Sequence, residues 1–159
     1  MKEIEIKASV EFLQMEELSE EERALVESAI KATENSYAKY SNFNVGATVL
    51  LDDGRMVIGA NQENAVFPLG LCAERTAIFA AQAHYPEHAI VKIAIAARNK
   101  NGLVANPVSP CGSCRQVILE MEERYQQPIR ILLYGTEGVY AINSVKDLLP
   151  LCFVEKSMK

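Results

Sequence analysis

The 159 residues suffice for one domain with a real core, and a hydrophobic content of 49% is ordinary for a globular chain. A formal net charge of −5 and a pI near 5.1 exclude a protein that lives on a phosphate backbone, because such binding needs a basic footprint. The start, Met1-Lys2-Glu3-Ile4-Glu5-Ile6-Lys7, breaks into charges before any apolar run forms, so neither a signal peptide nor a membrane span is expected and the cytoplasm is the predicted compartment.

In chain order, Ile4, Ile6, Ala8, Val10 and Phe12 mostly alternate, so residues 1–18 read as an extension holding an edge strand or extended arm, with no role that the sequence defines. Ser19-Glu20-Glu21-Glu22 is a capping box, and Ala24, Leu25, Ala29, Ile30 and Ala32 follow at helical spacing, which predicts a helix from about Ser19 to Tyr37. Strands over Val45–Leu51 and Met56–Asn61 flank the hairpin signal Asp52-Asp53-Gly54. A helix over Ala73–Ala83, a buried strand over Val91–Ala97, a helix over Cys111–Tyr125, strands over Ile129–Tyr134 and Val139–Asn143 and a short closing helix near Val145–Leu149 complete the order. Only Gly135-Thr136-Glu137-Gly138 joins the last two strands, and parallel pairing needs a crossover of about a dozen residues or more, so if they pair they are antiparallel. No linker or repeat interrupts residues 19–159, which read as a single domain.

The chemistry concentrates in Cys72-Ala73-Glu74 and in Pro110-Cys111-Gly112-Ser113-Cys114. Cys111 and Cys114 share a helix face, and a third, distant cysteine leaves the fourth tetrahedral position open, the pattern of a catalytic zinc site that holds a water. A structural zinc site wants four protein ligands, and neither His84 nor His88 lies in a ligand motif. A redox dithiol at Cys111 and Cys114 leaves Cys72 and Glu74 unexplained. Cys152 reads as a small buried hydrophobe. Residues two apart on a helix do not share a face, so Cys72 must lie at or just before the first turn for its sulfur to meet the point that Glu74 faces. Glu74, close to the metal without being a ligand, is placed to move the water's proton. Three thiolates leave the zinc centre at −1. The two helix N-termini and the fixed charge of Arg75 are the compensation.

The strings Cys72-Ala-Glu-Arg-Thr-Ala-Ile-Phe79 and Pro110-Cys-Gly-Ser-Cys-Arg-Gln-Val117 closely resemble the cytidine deaminase family of nucleoside salvage. So do Tyr40-Ser-Asn-Phe-Asn-Val-Gly-Ala47, Asn61-Gln-Glu-Asn-Ala65 and Leu148-Leu-Pro-Leu-Cys-Phe153, and the blocks come in the family's order over most of the chain. The resemblance implies a three-layer α/β/α fold with a mixed five-stranded sheet whose last two strands are antiparallel. It implies one Zn2+ per subunit on Cys72, Cys111 and Cys114, Glu74 as the proton carrier, and Arg75 as a hydrogen-bond donor to the thiolates. It assigns Asn61 and Glu63 to the sugar's 3′-hydroxyl, Phe43 to the wall of the base pocket, and Phe153 to the pocket of a neighbouring subunit in a homotetramer.

The implied reaction is hydrolytic deamination of cytidine and deoxycytidine, with neither nucleic acid nor membrane as a partner. Polynucleotide deaminases generally place a helix between the last two strands, where this chain has a hairpin, and no Arg/aromatic stripe is present. A zinc-stabilised binding protein would need neither Glu74 nor an open metal position. The chain departs from the family's usual Asn-Ala-Ser-Tyr-Gly at Asn64-Ala65-Val66-Phe67-Pro68, losing a tyrosine hydroxyl and stiffening the loop, which leaves open a preference for another free cytosine nucleoside.

Overall fold

The computed structural model describes residues 1–159. Strand β1 (Glu11–Leu13) precedes helix α1 (Glu20–Ala32), and strands β2 (Asn44–Leu51) and β3 (Met56–Ala60) form the expected hairpin. Helix α2 (Ala73–His84), strands β4 (Ile90–Asn99) and β5 (Gly102–Leu103), helix α3 (Gly112–Tyr125) and strands β6 (Arg130–Gly135) and β7 (Gly138–Ile142) follow. The five longer strands are those read from the sequence. The sheet nevertheless has seven strands, in the order β1-β7-β6-β4-β2-β3, with β5 paired to β4. Of the two additions, β1 is a three-residue edge strand inside the 1–18 segment whose alternation suggested one, and β5, two residues long, is too short to carry a periodic signal. Strands β4 and β6 are parallel and β6 and β7 antiparallel, as the short last connection requires.

Alternation along the central strands divides the core between two faces. Ile93, Ile95, Ile131 and Leu133 point to one side and meet Ala77, Ile78 and Ala81 of α2 and Ile118 and Leu119 of α3. Ala94, Ala96 and Leu132 point to the other and meet Leu25, Val26 and Ala29 of α1. Both faces are covered, which is why these strands read as unbroken apolar runs. The class is therefore the three-layer one expected.

Helix α1 starts where its capping box predicts: Ser19 Oγ accepts from Glu22 N–H at 3.2 Å, and Glu22 accepts from Ser19 N–H at 3.3 Å. It ends at Ala32 instead of Tyr37, tightening into a 3₁₀ turn over Thr33–Asn35. Gly46 of β2 lies against this end of the helix, where a Cβ would stand 2.2 Å from the carbonyl oxygen of Ala29. The closing helix is likewise a 3₁₀ turn, Val145–Asp147. Buried Glu122 of α3 is the residue that ties this turn down. It accepts from Ile129 N–H and Val145 N–H, both at 3.0 Å, and from Ser144 Oγ at 2.8 Å. A buried carboxylate is tolerated only with such partners.

The placement of α2 matters most for the site, because its N-cap is Cys72 and its first turn carries Glu74. Alanine residues and Gly59 of β3 allow it to sit close to the sheet: a Cβ on Gly59 would stand 2.3 Å from Ala77 N and 2.5 Å from Ala73 O. Backbone atoms cannot give way as a flexible side chain does. Gly59→Ala should therefore cost about 1–3 kcal/mol of stability by overpacking, measured as a lower denaturation midpoint. An unchanged midpoint would mean that α2 can retreat freely.

The first ten residues lie outside any helix or strand, and Ile4, Ile6 and Val10 are exposed. No helix in the structure is long and apolar enough to cross a membrane.

Candidate active site

Two loops enter two helices side by side. Cys72 is the N-cap of α2 and Cys111 the N-cap of α3, both with extended backbone, and Cys114 lies in the first turn of α3. Cys72 thus stands one position ahead of its helix, as its pairing with Glu74 demanded. The three sulfurs lie within 4.8 Å of one another, and Cys72 and Cys111 are 3.9 Å apart, with all three thiols free of disulfides. Zinc–sulfur bonds of about 2.3 Å in a tetrahedron put sulfurs about 3.8 Å apart, so three soft donors here fit zinc and leave one position open.

The electrostatics fit as well. The Cys72 thiol is drawn down to about 5, chiefly by its hydrogen bond with Cys114 and further by Arg75 and Cys111, against the opposing effect of burial. Cys114 is pushed up by the same sulfur, by burial and by Glu74. One negative charge in the cluster thus suppresses the next until a cation arrives. Arg75 Nη2 donates to Cys72 Sγ at 3.7 Å, and the N-termini of α2 and α3 add their positive ends. The buried Nε of Arg75 has no protein partner, leaving a donor spare beside the sulfurs.

Glu74 is only 5% exposed, and burial pushes its carboxyl above the ordinary range, with the charge of Cys72 acting in the same direction. It lines a cleft of about 300 Å³ together with Cys72, Cys111, Phe43, Val45, Asn61, Ile95 and Val108. A largely apolar slot with a few convergent polar groups suits a flat, small ligand. Phe43 stands in its wall, as the sequence suggested.

Asn61 and Glu63 flank the same region, and both are engaged with the chain itself. Asn61 Oδ1 accepts from Ser36 Oγ at 2.6 Å and Val45 N–H at 2.8 Å, while its Nδ2 donates to Phe43 O at 3.0 Å. One amide hydrogen remains for a ligand. Glu63 accepts from Tyr40 N–H at 2.7 Å, Ser41 N–H at 3.2 Å and the Ser41 hydroxyl. These bonds, that of the hydroxyl foremost, hold its carboxyl below the ordinary range. A second, shallower cleft, of about 380 Å³, runs past Glu63 to Phe67, whose ring meets that of Tyr40 edge-on at 5.5 Å.

Phe153 is not brought into its own chain's cleft. It is 58% exposed, with its carbonyl accepting from Gln116 Nε2 at 2.9 Å, and Leu151 before it is 89% exposed with a left-handed φ of 52°. Cys152, expected to be buried, is half-buried against the core formed by α2, α3 and the sheet. Sequence reasoning missed Arg115, which ties the metal-ligand loop to the C-terminal turn by donating to Pro110 O at 2.9 Å and Leu148 O at 2.6 Å. Its place directly after Cys114 was the available signal.

Residues 19–126 match the profile of the cytidine and deoxycytidylate deaminase zinc-binding region. The chain is 40% identical over 134 residues to a cytidine deaminase of Halalkalibacterium halodurans, covering 84% of this chain and 95% of the relative, and 36% identical to one of Sporosarcina psychrophila, covering 84% and 92%. Among solved structures, a cytidine deaminase from Burkholderia pseudomallei superposes with a TM-score of 0.69 at 40% identity, over 82% of this chain and 97% of that one. The cytidine deaminase from Mycobacterium tuberculosis superposes at 0.64 with 32% identity, over 82% and 95%.

Proposed function

The chain belongs to the cytidine and deoxycytidylate deaminase family, and on that premise we propose that it is a cytidine deaminase of pyrimidine salvage in the cytoplasm, converting cytidine and deoxycytidine with water to uridine and deoxyuridine plus ammonia. The observation that carries this reading is a cluster of three cysteine sulfurs, two of which, Cys72 and Cys111, line one apolar cleft together with the buried carboxylate of Glu74. Cys72, Cys111 and Cys114 hold the zinc, which when bound supplies the Lewis acidity that brings a water to nucleophilic strength at neutral pH. Residues 19–159 form the catalytic domain.

The remaining chemistry belongs to the chain. Glu74 takes a proton from the attacking water and delivers it to N3 of the cytosine ring, which makes C4 electrophilic as the new C4–O bond forms. It then carries the hydroxyl proton to the exocyclic amine, the C4–N bond breaks, and ammonia leaves with the uracil carbonyl in place. Burial suits Glu74 to this exchange, since a carboxyl raised above its ordinary range by desolvation holds a proton more readily than a free one before handing it on. Arg75 offsets the thiolate charge. Phe43 stacks on the base, a contact worth about 1 kcal/mol, and Glu63, with the spare amide hydrogen of Asn61, receives the sugar hydroxyl. Incubating the purified protein with cytidine tests the reading directly: absorbance should shift to that of uridine with one ammonia released per turnover, and no change would refute it.

The exposed Phe153 supports a shared site in a homotetramer, its ring entering the pocket of an adjacent subunit. Phe153→Ala should raise KM for cytidine by about 10-fold, the loss of one aromatic contact, in an enzyme that still assembles. Mixing it with a Glu74→Ala protein under subunit exchange should regenerate sites with both native residues and restore turnover. A fully active monomer in sedimentation at the assay concentration would refute sharing.

A further inference from the structure

Ser41 is the one residue that lines the zinc-side cleft, the cleft beyond Glu63 and the shallow pocket under the Asn99–Asn101 turn. Its side chain sits between two groups with different tasks. The hydroxyl accepts from Phe43 N–H at 3.1 Å and donates to Oε1 of Glu63, while the Ser41 and Tyr40 amides occupy Oε2. Asn42 between them has a left-handed φ of 55°, which folds the turn tightly enough for the hydroxyl to reach back to the Phe43 amide. The carboxylate would otherwise be pinned through one oxygen alone and free to swing about it.

We propose that Ser41 is a positioning residue for nucleoside recognition: its hydroxyl fixes Oε1 of Glu63, the oxygen that the amides leave unheld, in register with the Phe43 wall, so that base and sugar are gripped at a set separation. The inference rests on the reading of Glu63 as the group that receives the sugar hydroxyl. A hydroxyl donating to a carboxylate both orients it and keeps it ionised, as the lowered carboxyl of Glu63 reflects. The ionised form is the one that accepts a hydrogen bond from a sugar hydroxyl. Ser41 does not itself touch the reacting atoms. Its effect should therefore fall on binding of the complete nucleoside and leave the proton transfers of Glu74 alone.

The test compares Ser41→Ala, Ser41→Thr, Glu63→Ala and the Ser41→Ala/Glu63→Ala double variant on cytidine, 3′-deoxycytidine and free cytosine. Ser41→Ala should lower kcat/KM for cytidine by about 10-fold, the scale of one hydrogen bond to a charged group, mostly through KM. Its effect on 3′-deoxycytidine and cytosine should stay below about twofold, Ser41→Thr should recover most of the loss, and the melting midpoint should hold. In the Glu63→Ala background the same change should add almost nothing, because two residues acting through one contact are not additive. Multiplicative losses in the double variant, or equal losses on all three substrates, would overturn the role of Ser41 while leaving that of Glu63 standing. If Glu63→Ala itself discriminates no less against 3′-deoxycytidine than the native protein does, the sugar reading of Glu63 falls and the inference falls with it.

Discussion

Replacing Glu74 by alanine is expected to cut kcat on cytidine by about 10²–10⁴-fold, the scale of losing a general acid–base group, while zinc content and fold stay close to native. The side chain is almost wholly buried at the floor of the cleft, yet it is not one of the three clustered sulfur ligands. Its removal therefore takes away the proposed proton carrier and leaves the donor set intact. In the proposed mechanism two proton movements depend on it, one to N3 and one to the departing amine, so both bond making and bond breaking should slow. Glu74→Gln separates the roles further, because the amide preserves volume and hydrogen bonding but accepts no proton. It should be as inactive as alanine, with KM nearer the native value. Near-native turnover in either variant, with zinc shown to be present, would assign the proton transfers elsewhere.

How the site could be read ahead of the structure depended on the range of the interactions involved. The capping box at Ser19 and Glu22, the turn at Asp52-Asp53-Gly54 with its Gly54 φ of 87°, and the antiparallel pairing of β6 with β7 are local, and local chemistry dictates them. The cysteine arrangement was legible for a similar reason: thiolates serve few purposes, and Cys111 and Cys114 share a face by spacing alone. The edge strand at Glu11–Leu13 was not legible as a pairing, since it is defined by partners 126–130 positions away, Glu11 against Ala141 and Leu13 against Val139. The bonds of Ser41 and Asn61 were hidden too. They depend on a left-handed residue at Asn42 and on the end of β3 lying beside Phe43 and Val45, which no periodicity encodes. The placing of Phe153 in another subunit's pocket rests on the family resemblance, an argument that needs the ring free of its own core. Its exposure is what that argument requires.

Zinc should be found at about one atom per chain, and changing Cys72, Cys111 and Cys114 together to serine should bring it to near zero and abolish turnover, because hydroxyls are poor replacements for thiolates at this metal. The structure holds one other cluster that a metal could in principle use, Asp52, Asp53 and His88. That cluster already satisfies itself. His88 Nδ1 meets Asp52 Oδ1 at 2.7 Å and its Nε2 lies 3.4 Å from Asp53 Oδ2, whose carboxylate is also paired with Arg55 at 3.1 Å. A cation entering there would have to break these contacts, whereas at the cysteines it relieves the mutual suppression of the thiols. His88→Ala should accordingly leave the metal content unchanged when elemental analysis is run on the same preparations. The triple serine protein should still fold, since the packing of α2 and α3 on the sheet rests on Ala77, Ile78, Ile118, Leu119 and their strand partners and on no sulfur–sulfur bond. Full zinc occupancy in that variant, or its loss in His88→Ala, would move the metal centre away from the cysteines and with it the whole account of the cleft.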